Sequence, residues 1–199
     1  MTIKLVAAPT LEPVTVTELA RNLRLLLAPT QDYDGAEVDL LASLITAARE
    51  DVENYTQRDY ALKTYSEAFA GLAAPLPLVH SVAEVVSVTY LDTSDTVQII
   101  APTDYYTVTV KERGCIEFKS SFVVPDVSSH PEAITVTYRS GLSDASLVPQ
   151  TIKQSIVLIA SHWYENREAA NVTGGGIEIK EVPLAYRWLL DAHRLPALG

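Results

Sequence analysis

A chain of 199 residues suffices for one large domain or two small ones, and its 48% hydrophobic and 20% charged content is that of a globular protein, far from the disordered class. The net charge of −10, from 25 acids against 15 bases, argues against wrapping nucleic acid, which takes a basic stripe. No apolar run approaches the roughly 20 residues of a membrane span.

The N-terminus, MTIKLVAAPTLEP, carries one Lys and too short an apolar stretch for a signal peptide. Thr15-Val-Thr-Glu18 has the spacing of a capping box, in which a hydroxyl and a carboxylate satisfy each other's backbone N–H groups. Leu19, Leu23 and Leu26 follow at helical spacing, so a first helix is expected over about 15–27, stopped by Pro29. Asp34 is placed to cap a second helix over about 35–57, whose stripe is Val38, Leu41, Ile45, Ala48, Val52 and Tyr55. Its other face carries Glu37, Asp39, Glu50 and Glu53 and is acidic.

The pattern changes near Arg58. From Ala61 to Ser140 the chain is rich in Val, Thr, Tyr and Ile, with turn formers every ten or so residues, which predicts an antiparallel sheet. Expected strands are 62–69, 85–91, 96–100, 105–110, 115–118 and 133–139, with turns at Asp92–Asp95 and Lys111–Gly114. Leu76-Pro-Leu78 suits an edge or linker, because proline cannot donate to a ladder. In the last strand Ile134, Val136 and Tyr138 alternate with Thr135, Thr137 and Arg139, giving one dry and one wet face.

Pro149 opens a third helix ending near Arg167, with Ile152, Ile156, Ile159 and Trp163 as its buried stripe. NVTGGGIEIKEVP then predicts a mobile loop or short hairpin, since three consecutive glycines leave the backbone maximally free. Pro183 opens a last helix with Leu184, Trp188 and Leu189 on its apolar side, and the tail HRLPALG is expected to fray. Helices, a strand block and helices again make an α+β fold: N- and C-terminal helices form a bundle with an inserted antiparallel β subdomain. The divisions are 1–60 for the N-terminal helices, 61–140 for the β subdomain, and 141–199 for the C-terminal helices and tail.

No convincing catalytic set emerges, so no enzyme, cofactor or metal is expected. His162 and Glu165 share a helix face, but a di-iron site needs a second such pair and further carboxylates. The glycine run lacks the spacing of a phosphate loop, and Ser143-Asp144 resembles a turn without the nucleophile elbow. Cys115, the lone cysteine, is expected to be an inert buried thiol in a reducing compartment. Ten tyrosines against three phenylalanines suit half-exposed strand faces or interfaces.

Several segments resemble, in order, the head-tail connector (adaptor) proteins of long-tailed bacteriophages, in the longer form with a β-insertion. They are Pro13–Ala20, Leu40–Thr56, Leu76-Pro-Leu78 with Val85–Asp92, and most specifically Ile134–Leu142, Val148–Gln154 and His162–Glu168. The Gly-rich loop and C-terminal tail depart from the family's pattern. The resemblance implies a structural virion or prophage protein that sits at the head-tail interface of the virion and in the host cytoplasm during assembly. It would form a ring, commonly of twelve subunits, on the portal. The ring would extend the channel, pass DNA without specific binding, and offer a platform to a stopper or tail-completion protein, with no membrane involved. Candidate interface residues are Glu50, Glu53, Glu165, Arg167, Glu168, Gly174, Gly175, Gly176 and Trp188. An alternative is a non-enzymatic ligand- or carbohydrate-binding module of a tail or baseplate, for which Tyr105-Tyr106 could supply an aromatic platform only if both faced one way.

Overall fold

The computed structural model describes residues 2–25, 35–72, 75–166, 171–173, 176–178 and 185–195. The chain divides into two units, one of Met1–Leu11 with Ala61–Ser143 and one of Glu12–Tyr60 with Asp144–Gly199. The class is α+β, with helices toward both ends and antiparallel strands between. The first eleven residues, expected with the helices, cluster instead with the strands.

In the strand unit, β1 (Thr2–Ala7), β2 (Lys63–Phe69), β8 (Ile134–Ser140), β4 (Glu84–Leu91) and β5 (Val97–Ile100) form a five-stranded sheet in that spatial order. All its pairings are antiparallel. A second sheet has the order β3 (Leu76–Pro77), β7 (Arg113–Phe118), β6 (Tyr105–Val110). Side chains of both sheets share one core: Tyr65, Phe69, Val88, Ile100, Ile134, Val136 and Tyr138 from the first, Leu76, Tyr105 and Ile116 from the second. The expected alternation in β8 holds, with Ile134, Val136 and Tyr138 fully buried. Pro77 lies in an edge strand, where its missing donor is harmless. Lys111 and Glu112, with φ of 49° and 66°, make the two-residue turn between the paired Val110 and Arg113, two residues shorter than the expected Lys111–Gly114 turn.

β1 has no counterpart in the sequence reading. All six of its residues are exposed, so no alternation marks it. A bulge between Leu5 and Ala7 shifts its register against β2.

In the helical unit, the capping box opens α1 (Val16–Asn22): Thr15 Oγ1 accepts from the Glu18 N–H, and Glu18 Oε2 accepts from the Thr15 N–H at 2.7 Å. α2 (Gly35–Thr56) buries Leu41, Ile45, Ala48 and Val52, and α3 (Gln150–Glu165) buries Ile152, Ile156 and Ile159. α1, α2 and α3 pack on one another, and α4 (Ala185–Asp191) packs on α2 and α3. Pro149 sits just outside α3 as its N-cap. β9 (Asn171–Thr173) and β10 (Gly176–Glu178) pair as a short antiparallel hairpin. Leu26, Pro29, Asp34, Pro183, Leu184 and the hairpin tip lie outside the described residues.

Three expectations for this unit are corrected. Trp163 is only half-buried, although it continues the stripe of α3, because the helix ends two residues later and its packing surface runs out. Trp188 is 82% exposed, and α4 buries Tyr186 and Leu190 instead. The start of the tail is not frayed: Leu195 is buried, its N–H donates to the Thr56 carbonyl at 2.9 Å, and Arg58 Nε donates to the His193 carbonyl at 2.7 Å. Trp163→Ala is therefore expected to destabilise by less than the roughly 3–5 kcal/mol of a fully buried aromatic, and by less than Ile156→Ala at about 2–5 kcal/mol. Urea melts of the two variants test this; a larger loss for Trp163→Ala contradicts it.

Candidate interface surfaces

The most heavily buried charge in the helical unit is Arg49 on α2, 1% exposed. It donates to Glu12 Oε2 at 2.7 Å and to Glu53 Oε2 at 2.5 Å, and Glu50 lies 3.5 Å away. Glu53 Oε1 accepts from the Tyr60 N–H at 2.9 Å, and Glu12 Oε1 from Thr46 at 3.0 Å. These groups bind the segment before α1 and the chain leaving α2 to the middle of α2. A guanidinium enters a core only with its charge matched and its donors satisfied. Glu53 is thus 6% exposed and serves the fold from within, not the outward acidic face expected of it. Its position four residues after Arg49 was the available signal.

The other candidate residues are placed differently. Glu50 is exposed on α2, as is Asp39 about three turns earlier. Glu37 accepts a hydrogen bond from the Tyr164 hydroxyl at 2.6 Å, tying the start of α2 to the end of α3. Glu165 is exposed at the last residue of α3. Trp188 projects from α4, next to Arg187, whose guanidinium lies 5.9 Å from the Tyr55 ring. Gly176 begins β10. Arg167, Glu168, Gly174 and Gly175 lie outside the described residues.

A second buried charge escaped the sequence reading. Glu67 on β2 is fully buried and accepts from the Tyr138 hydroxyl and, at 2.9 Å, from the Val79 N–H. Its Oε2 has no hydrogen-bond partner. Glu67 shares the strand face of Tyr65 and Phe69, so its parity alone marks it as inward. Burial pushes its carboxyl above the usual range, against the lowering effect of the Tyr138 and Val79 donors and of nearby His80. The folded state therefore holds a proton that the unfolded chain releases near pH 4.3. Stability from this group is greatest below that pH, falls as pH rises through the raised value, and is level above it. Glu67→Gln keeps the shape and removes the titration. Its melting temperature relative to the unaltered chain should rise as pH climbs above about 4.3; parallel profiles would contradict this.

Among the described residues no catalytic arrangement accompanies these charges. Among the described residues no group of three or more His, Cys, Asp or Glu could hold a metal ion. His162 Nδ1 faces the Asn166 amide at 3.4 Å, and its helical neighbour Glu165 is exposed. Cys115 is 4% exposed, and burial pushes its thiol pKa up, with Glu117 adding to the rise, which keeps it unreactive. Asp144 caps a single turn at Ala145–Leu147 by accepting from the Ser146 N–H at 2.7 Å. Tyr105 is buried and Tyr106 is 57% exposed with Lys119 over its ring, so the two form no aromatic platform. No helix among the described residues is long and apolar enough to cross a membrane.

What the surface offers is contact area. Large apolar side chains stand exposed on β1 (Leu5, Val6), on β5 (Val97, Ile99), in the loop at Val123-Val124 and at Trp188. Comparison with solved structures finds chains of similar fold. A chain from the neck of an empty gene transfer agent (GTA) particle, computed with C6 symmetry, matches with a TM-score of 0.77 at 21% identity, covering 100% of this chain and 98% of that one. The fold is that of chains from gene transfer agent particles. A chain from the virion of the native particle matches at 0.74, and one from its neck computed with C12 symmetry at 0.68, both at 19% identity and with the same coverage. No protein-family model and no curated protein matches the sequence. The GTA likeness spans both units, so strands and helices together make up the shared fold.

Proposed function

We infer that this chain is a structural head-tail connector (adaptor): it forms a ring on a portal, extends the DNA channel and gives the next head-completion or tail protein a docking platform. The full-length fold likeness to a chain from a gene transfer agent neck carries this reading. Those necks were computed with C6 and C12 symmetry, which suits a ring of twelve subunits. The ordered connector-like segments, from Pro13–Ala20 to His162–Glu168, point the same way.

The mechanism is thermodynamic. Each copy contributes a weak contact, and the ring multiplies it by holding all copies in place at once. Exposed Trp188 has the character of an anchor, since a large aromatic buries much area at little entropic cost. Glu50, Glu165, Arg167, Glu168 and the glycines 174–176 complete the proposed docking surfaces. The acidic balance, 25 against 15, serves a channel past which DNA slides without adhering. The Debye length is about 8 Å at physiological salt, so only side chains near the wall act on the DNA.

Deletion tests the role in the particle. Heads assembled without this protein should fail to retain DNA or to join tails. Heads that keep DNA and join tails contradict the reading. Charge reversal at acids that line the channel should slow DNA ejection while leaving ring assembly intact.

A further inference from the structure

The five-stranded sheet has two edges, and each carries an apolar strip that the fold leaves open. Among the described residues no strand lies beyond β1 or beyond β5. Register fixes the face of each strip, because directly opposite residues of antiparallel strands point to the same side. Ile3 is opposite Glu67 and Leu5 is opposite Tyr65, both core-facing. Ile3 and Leu5 therefore lie on the core side of the sheet, yet they are 39% and 54% exposed. At the other edge Val97 is opposite Leu91 and Ile99 is opposite Thr89. Thr89 is opposite Thr135, whose neighbours Ile134 and Val136 face the core. Val97 and Ile99 thus point to the outer side, 63% and 75% exposed.

We propose that these strips are the two halves of one joint, in which the core-side face of β1 in one copy laps over the outer face of β5 in the next. The proposal rests on the connector reading and names the contact that would build its ring. The occupant is a second copy of this chain because the strips lie at opposite edges and on opposite faces of the same sheet. Displacing one copy sideways by the width of the sheet, and by about 10 Å along its normal, brings the strips together at sheet-packing distance. No two-fold axis is needed, so the contact is head-to-tail and repeats until it closes. Two or three side chains on each partner fall well short of the roughly 800 Å² per partner of a stable pair. An isolated dimer is therefore weak, and closure, which gives every copy two joints, holds the ring.

The test pairs Leu5→Cys with Ile99→Cys in the full chain, mixed with portal and mildly oxidised. Cys115 is buried and does not compete. A ladder of covalent dimers, trimers and higher species is expected from the double variant, and none from either single variant. In a second arm, Ile99→Lys, at a solvent-exposed site, should leave the melting temperature unchanged and remove every species above monomer in native mass spectrometry. Rings that form with Ile99→Lys, or a double variant that assembles without a ladder, overturn the joint and leave the connector reading standing. Failure of the unaltered chain to assemble, alone or on portal, overturns both.

Discussion

Arg49→Ala is expected to destabilise the helical unit by about 3–5 kcal/mol, the usual cost of removing one partner from a buried ion pair. The Arg49 side chain is 2% exposed and stands between Glu12, with 28% of its side chain exposed, and Glu53, with 5%. Without the guanidinium, Glu53 is left charged in the core beside the Tyr60 N–H it accepts from, and the tie from α2 to the segment before α1 is lost. Replacing both sides of the pair, as Arg49→Met with Glu53→Gln, should recover much of the loss, because the amide still accepts from Tyr60 and no charge remains buried. Urea denaturation of the three chains measures it. A loss below about 1 kcal/mol for Arg49→Ala would show the pair to be far better solvated than its burial implies.

Gly141→Ala is expected to cost more than about 2 kcal/mol. Gly141 follows β8 with φ of +98°, where an L side chain is already strained by about 1–2 kcal/mol. A Cβ there would stand 2.2 Å from the Ala61 carbonyl oxygen and 2.7 Å from its carbon. Both are backbone atoms, so no rotamer change relieves the contact, and the chain entering β2 must move away from β8. Denaturant melts or the yield of folded protein report the effect. A loss under about 0.5 kcal/mol contradicts this account of the β2–β8 entry.

The sequence revealed most where one face of an element is buried and the other wet. β8 and α3 show this: Ile134, Val136 and Tyr138 alternate, and Ile152, Ile156 and Ile159 step at helical spacing, so burial leaves a period that can be read. β1 lacked that period because both its faces are exposed; it is held by backbone pairing to β2. Trp163 and Trp188 show the opposite limit, since a hydrophobic period continues along a helix whether or not a neighbour is present to cover it. Glu53 and Glu67 were hidden by their charge. Each occupies an inward position: Glu53 is tolerable there through Arg49, four residues before it, and Tyr60, seven after, whereas Glu67 depends on Tyr138, 71 residues away, which local spacing cannot supply. The candidate contacts were least legible, because a surface that meets another subunit has no partner within the chain to set a period.

Negative-stain imaging of the purified protein, with and without portal, tests the connector reading most directly. The account predicts rings with a central channel, stacked on the portal when it is present. Protein that remains monomeric beside the portal, with no added density on the portal face, contradicts it.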